Sequence, residues 1–248
     1  MNKKTNYSYV GIALTILVFG IIFIPKIVDR ATNKDISREE SRSVSVSNND
    51  IGKTSDLAFL EINGEPKKVP DFSFVNQNGR LITNQDYLGK VYVVEFFFTT
   101  CPTICPRMNR NLVQIQNEFP DNENFGVASF TINPEFDTTE VLKTYAEKYK
   151  ITNPNWHLMT GDEAVIYKLA NEGFNLYTAA DSEAEGGFEH SGNFALIDKK
   201  GFIRSRIING NPIIYYNGMI SEEEQVDDEG QEQQITMLKE DIKKLLNE

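Results

Sequence analysis

The stretch GKVYVVEFFFTTCPTICPRMNRNL, residues 89–112, constrains the fold more than any other part of the chain. Its first half is a continuous run of β-branched and aromatic residues, the pattern of a central strand buried on both faces. Directly after it, Met108, Leu112, Ile115 and Phe119 recur at helical spacing, and Pro106 stands where a first-turn proline is tolerated. A buried strand that runs straight into a helix begins an α/β unit.

The alternation then continues. FGVASFTI reads as a strand, DTTEVLKTYAEKY as a helix capped by Asp137 or Thr138, WHLMTG as a short strand and DEAVIYKLANEGF as another helix. Upstream, DFSFVNQNGRLI carries a hairpin signal around NQNG. Downstream, a polar stretch at 177–189 precedes the strand NFALID, the turn KKG, the strand FIRSRII and an amphipathic helix, ITMLKEDIKKLLNE. This order predicts an α/β fold of the thioredoxin-like plan, a mixed central sheet flanked by helices.

With 40% hydrophobic and 11% aromatic residues among 248, the chain has ample material for a packed core. A formal charge of -11 excludes nucleic acid as a partner, since phosphate binding needs a basic surface. Near the start, VGIALTILVFGIIFI at 10–24 is apolar and uncharged. The run is shorter than the roughly 20 residues of an ideal spanning helix, so a cleaved signal peptide competes, but no small-x-small site follows Ile24. Tyr7, Tyr9, Ile27 and Val28 lengthen the usable span, which favours an uncleaved transmembrane anchor. Lys3 and Lys4 place the N-terminus in the cytoplasm and the bulk of the chain on the extracytoplasmic, periplasmic side of the cell membrane. The expected organisation is an anchor at 1–28, a Ser-, Asn- and Glu-rich linker at 29–65 and a folded domain at 66–248.

The chain has two cysteines, Cys101 and Cys105, and two histidines, His157 and His190. In the α/β plan Cys101 lies in the loop after the central strand and Cys105 at the start of the helix. Amide groups and the helix dipole there favour a thiolate, and a thiolate serves both as nucleophile and as metal ligand. Three intervening residues, rather than the two of the usual oxidoreductase pair, let the sulfurs converge on each other or on one ion. The spacing leaves a redox pair and a metal site about level. His157 follows Trp156 in a predicted strand and reads as a half-buried structural residue. His190 ends a glycine-containing polar loop just before a strand, a position suited to function.

CPTICP after an aromatic strand, NPEFDTTEVLKTYAEKY, WHLMTG and a histidine just before NFALID together resemble the Sco/SenC family of copper-binding assembly proteins. The resemblance covers 66–248 and the single N-terminal anchor. It implies a thioredoxin-like domain that binds one copper, as Cu(I) or Cu(II), with Cys101, Cys105 and His190 as ligands. It further implies a role in maturing the copper A site of cytochrome c oxidase, with the oxidase's copper-bearing subunit or another cuproprotein as recipient. One departure stands out: family members usually have Asp-Pro where this chain has Asn133-Pro134. Asp137 remains, and an N-cap is the role expected of it.

Two other readings compete. A thiol-disulfide reductase would use Cys101 and Cys105 as its redox pair to keep partner cysteines reduced. Thioredoxin-type reductases have a cis-proline just before the strand matching NFALID, however, and here Ser191 takes that place behind His190. A thiol peroxidase would need a threonine three residues before the reactive cysteine, where this chain has Phe98, and a nearby arginine, for which Arg107 and Arg110 are the candidates. SEEEQVDDEGQEQQ, at 221–234, reads as a solvated loop before the last helix.

Overall fold

The computed structural model of the chain describes residues 57–248 apart from 63, 121, 177 and 181–187, with backbone alone at 180, 189 and 190. The expected anchor at 1–28 lies outside the described residues. Among those described, no helix is long and apolar enough to cross a membrane.

The first strands fall within the segment expected as linker. β1 (Leu57–Phe59) pairs antiparallel along a late strand of the main sheet, and β2 (Glu61–Ile62) with β3 (Glu65–Pro66) makes a small ribbon. Leu57, Ala58 and Leu60 are buried, and that apolar pattern draws residues preceding 66 into the fold. The predicted hairpin is present as β4 (Ser73–Asn76) and β5 (Leu81–Thr83). Asn76 shapes its turn, since Oδ1 accepts from the amides of Asn78 and Arg80, both at 3.0 Å.

The central run forms β6 (Val91–Phe97), every residue of which is buried. It leads into α1 (Ile104–Glu118), then β7 (Phe125–Thr131), α2 (Thr139–Tyr149) and β8 (Trp156–Thr160). β6, β7 and β8 are adjacent and parallel, as two successive crossover helices require. α3 (Glu163–Lys168) continues through a π-helical turn, Leu169–Phe174. β9 (Thr178–Ala180) and β10 (Phe188–His190) make a separate antiparallel ribbon. Next come β11 (Asn193–Ile197), β12 (Ile203–Ile208), the short β13 (Asn211–Pro212) and β14 (Tyr216–Asn217), and the last helix, α4 (Ile235–Asn247). The sheet runs β1-β12-β11-β6-β7-β8-β4-β5, which puts β6 in the middle with an antiparallel neighbour on one side and a parallel one on the other.

The two faces of β6 are covered differently. Phe96 stacks on Phe130 and meets Phe174 edge-on, at centroid distances of 5.4 and 5.7 Å, so this face lies under the turn that follows α3. Phe97 packs on Tyr145 of α2 at 5.5 Å, so Glu95 and Phe97 share the face that α1 and α2 cover. Met108, Leu112 and Ile115 of α1 are fully buried there, as their helical spacing predicts.

One buried ion pair fixes α4. Asp241, with 0% exposure, accepts from Arg206 Nε at 2.8 Å and Nη2 at 2.5 Å and from the Tyr216 hydroxyl at 2.8 Å, tying the helix to β12 and β14. Truncating one member of such a pair strands the others. Asp241→Ala should therefore destabilise the fold by about 3 kcal/mol in denaturant melts; a loss under roughly 1 kcal/mol would show that α4 is held by its apolar face alone.

Candidate metal and thiol site

Cys101 and Cys105 are not joined in a disulfide, and both are buried, Cys101 with 7% exposure and Cys105 with none. The Cys101 amide donates to the Phe98 carbonyl at 3.3 Å, which folds the loop back onto the end of β6. The Cys105 amide, in the first turn of α1, donates to Cys101 Sγ at 3.5 Å. The helix terminus thus offers its hydrogen bond to the outer sulfur, giving Cys101 the kind of contact that an anionic sulfur accepts. The inner sulfur behaves otherwise. Burial pushes the Cys105 thiol far above its ordinary range, and its hydrogen bond with Cys101 adds to this, against a smaller opposing contribution from the Phe98 backbone. A helix-start position does not by itself make Cys105 a ready thiolate, because desolvation outweighs the dipole.

Asp137 corrects an expectation. The helix cap is Thr138, whose side chain accepts from the Val141 amide at 3.4 Å. Asp137 is fully buried and turns toward the cysteine loop. Its Oδ1 accepts from the Thr99 hydroxyl, and its Oδ2 from the Thr131 hydroxyl and, at 3.1 Å, from the Thr99 amide. One carboxylate thereby joins the ends of β6 and β7 two residues before Cys101. The Asn133 carbonyl in turn accepts from the Asp137 amide at 2.9 Å, so Asn133 contributes its backbone to the same corner.

His190 is the last residue of β10, in register with Thr178, and so stands on a strand rather than in the loop expected of it. Two residues earlier, Phe188 packs against Phe98 at a centroid distance of 5.1 Å. That ring contact brings the ribbon bearing His190 against the strand end that bears the cysteines. The structure describes the backbone of His190 alone, and among the described residues no three His, Cys, Asp or Glu side chains are grouped to hold a metal. A Cβ at the nearby Gly192 would come 2.4 Å from Met219 Cγ, so the Met219 side chain would have to shift to admit one.

His157 takes the structural role expected of it. It is 9% exposed, Asn76 Nδ2 lies 3.1 Å from its Nδ1, and burial lowers its pKa to about 4, so the ring is neutral. The tail at 221–234 is the largely exposed loop before the last helix that the sequence predicts, tied down at two points. Glu224 pairs with Arg107 at 2.9 Å, and Glu222 accepts from Lys239.

A second carboxylate under the cysteines escaped the sequence reading. Glu95, in the middle of β6, has 0% exposure; its Oε1 accepts from the Ser129 hydroxyl at 2.6 Å, and Ser129 accepts from Trp156 Nε1 at 3.0 Å. No protein donor reaches Oε2. Burial pushes the carboxyl up to about 7 despite the Ser129 hydrogen bond. The signal was a lone acid inside an otherwise apolar strand.

The family described as SCO1/SenC matches residues 61–218, well over half of the chain. The chain belongs to the SCO1/SenC family. The SCO1 protein homolog of Bacillus subtilis (strain 168) is 29% identical over 182 residues, covering 69% of this chain and 93% of that one. A putative copper-binding protein of Stutzerimonas stutzeri is 27% identical over 144 residues, covering 57% and 69%. The crystal structure of a SCO1/SenC family lipoprotein from Bacillus anthracis str. Ames superimposes with a TM-score of 0.58 at 27% identity, covering 72% of this chain and 95% of that one. BsSco, described as a Sco family member of the cytochrome c oxidase assembly proteins with a disulfide switch, superimposes with a TM-score of 0.57 at 25% identity, covering 73% and 94%. The mixed α/β fold expected from the sequence is thus that of solved SCO1/SenC proteins.

Within this SCO1/SenC domain, Asp137→Ala would leave two threonine hydroxyls and an amide without their acceptor. A stability loss of about 3 kcal/mol in denaturant melts is expected, together with faster alkylation of Cys101 as its loop loosens. Unchanged alkylation would show that the loop is held by other contacts.

Glu95 and His157 give opposite pH dependences. The Glu95 carboxyl titrates at about 7 in the fold against an ordinary 4.5, so its contribution is full below 4.5 and lost as pH rises through 7. The His157 ring titrates at about 4 against 6.5, so its contribution is full above 6.5 and lost as pH falls through 4. Relative to wild type, Glu95→Gln should gain about 3 kcal/mol as pH rises through the first window. The advantage of wild type over His157→Gln should shrink as pH falls through the second. Curves parallel to wild type in either variant would show that the group does not titrate as its burial requires.

Proposed function

We propose that this SCO1/SenC protein is a copper chaperone that binds one copper ion through Cys101, Cys105 and His190. The observation that carries the reading is the contact between Phe98 and Phe188, which packs the ribbon bearing His190 against the strand end bearing two reduced cysteines. The donor chemistry fits the metal, since two thiolates and an imidazole suit Cu(I) and also accommodate Cu(II). Copper is the cargo of this site. A putative copper-binding protein among the relatives and the oxidase-assembly description of BsSco support a recipient such as the copper-bearing subunit of cytochrome c oxidase.

The apolar run at 10–24 supports a single membrane anchor with the domain on the extracytoplasmic side, joined to it by a polar tether. Delivery across a membrane surface suits such a tether, because a short reach raises the effective concentration of a membrane-bound recipient. Ligand exchange through shared thiolates would pass the ion without releasing it.

A second role for the same pair is disulfide chemistry, favoured by the unequal burial of the sulfurs. Cys101 keeps 7% exposure and Cys105 none, an order that suits an attacking and a resolving thiol respectively. Closing the disulfide would withdraw both ligands, so copper loading would follow the redox state. The peroxidase reading fares worse, because Phe98 is buried in the position that needs a threonine and Arg107 is paired with Glu224.

Titration of the reduced full-length protein with Cu(I) should give one ion per chain. Cys101→Ser and Cys105→Ser should each abolish it, and His190→Ala should weaken it by roughly tenfold or more. Affinity unchanged in His190→Ala would remove that residue from the site, and copper retained after alkylation of both cysteines would sink the proposal.

A further inference from the structure

Met219 lies against the strand that continues from His190. β14 pairs with the start of β11, Asn217 opposite Asn193, and the Gly218 amide donates to the Gly192 carbonyl at 2.8 Å, so the pairing runs one residue past β14. There the side chain of Met219 folds over Gly192. A Cβ built at Gly192 would meet Met219 Cγ, Sδ at 2.5 Å and Cε at 3.1 Å, so the thioether occupies the space that a side chain at 192 would take. Gly192 is two residues beyond His190, with Ser191 between them.

The same segment is fastened to the helix that carries Cys105. Asn111 Nδ2 on α1 donates to the Gly218 carbonyl at 2.9 Å, and Arg107, one turn nearer the helix start, pairs with Glu224 at 2.9 Å. Tyr216, opposite Phe194, donates to Asp241 on α4, so Phe194 and Gly192 face the layer in which α1 and α4 pack together. Met219 therefore lies between the strand running on from His190 and the helix that begins around Cys105. Met108 and Met159 are fully buried, whereas Met219 is only partly buried against the core.

We propose that Met219 Sδ is a further copper ligand, one that serves Cu(I) and not Cu(II). The proposal rests on the reading of Cys101, Cys105 and His190 as the copper site. A thioether is a soft, uncharged donor, and soft donors select Cu(I). It has no proton to lose before it binds, unlike a thiol. Three rotatable bonds let a partly exposed methionine swing toward an ion without moving the backbone that carries it. Such a donor favours the reduced ion, so the protein would hold its cargo as Cu(I) in surroundings that oxidise it. A side chain that only filled the space over Gly192 could equally be leucine, and a ligand could not.

The test uses the full-length protein grown with selenomethionine, reduced, loaded with one equivalent of Cu(I) and read by X-ray absorption at the selenium edge. A copper neighbour is expected at one of the five selenium atoms, and Met219→Leu should remove it. The same variant should weaken Cu(I) binding by roughly tenfold and leave Cu(II) binding unchanged. Selenium without a copper neighbour in the wild type, or a copper neighbour that persists in Met219→Leu, overturns the proposal. Equal Cu(I) affinity in wild type and variant overturns it as well. Met219→Gln, of similar length and equally without a soft donor, replaces the leucine variant if that one does not fold. Full Cu(I) uptake with no copper at selenium sinks the role of Met219 alone, whereas a reduced wild type that takes up no Cu(I) sinks the copper site and this ligand together.

Discussion

The cysteine loop depends on one buried carboxylate, that of Asp137. Asp137 collects the Thr99 hydroxyl, the Thr99 amide and the Thr131 hydroxyl, and so clamps the ends of two parallel strands at the point where the chain leaves the sheet to enter the cysteine loop. Parallel strands diverge at their ends unless something replaces the ladder, and a buried acceptor with three donors does so with direction as well as strength. From that joint the loop has only two residues to reach Cys101, and the Phe98 carbonyl takes the Cys101 amide. The position of the outer sulfur is thus set by the sheet, while that of the inner sulfur is set by the helix.

This division explains why two cysteines four residues apart become unequal. Cys101 receives an amide hydrogen bond from the helix start, whereas Cys105, within that same first turn, is closed over by the core. Helix-terminus electrostatics act within the first turn and on the groups that face the terminus. Burial acts on whatever is inside. At Cys105 burial is the larger effect, so the pair is asymmetric in chemistry although it is nearly symmetric in sequence.

How much of this could be read beforehand follows the same distinction between pattern and packing. The β6 strand, the α1 helix and the alternation through β8 were legible because periodicity reports which face is buried, and buried faces decide elements of that length. The folded role of residues 57–60 was not, since four consecutive apolar positions at the end of a polar tether carry no periodic signal. His190 could be located in the chain but not placed on a strand, because β9 and β10 are short and set off by polar residues. Asp137 was assigned to a helix cap because that is what a local rule offers; its actual donors, Thr99 and Thr131, come from other elements. Glu95 was hidden by its context, as a single acid among seven β-branched and aromatic neighbours reads as tolerance rather than purpose until its second oxygen is found without a donor.

Copper binding and disulfide formation are usually weighed as rivals for a cysteine pair, but here they share one chemical requirement. Both need Cys105 as a thiolate, and both must find that thiolate in a place where burial disfavours it. A soft cation supplies the compensating charge as it binds, whereas a disulfide supplies none and needs a base.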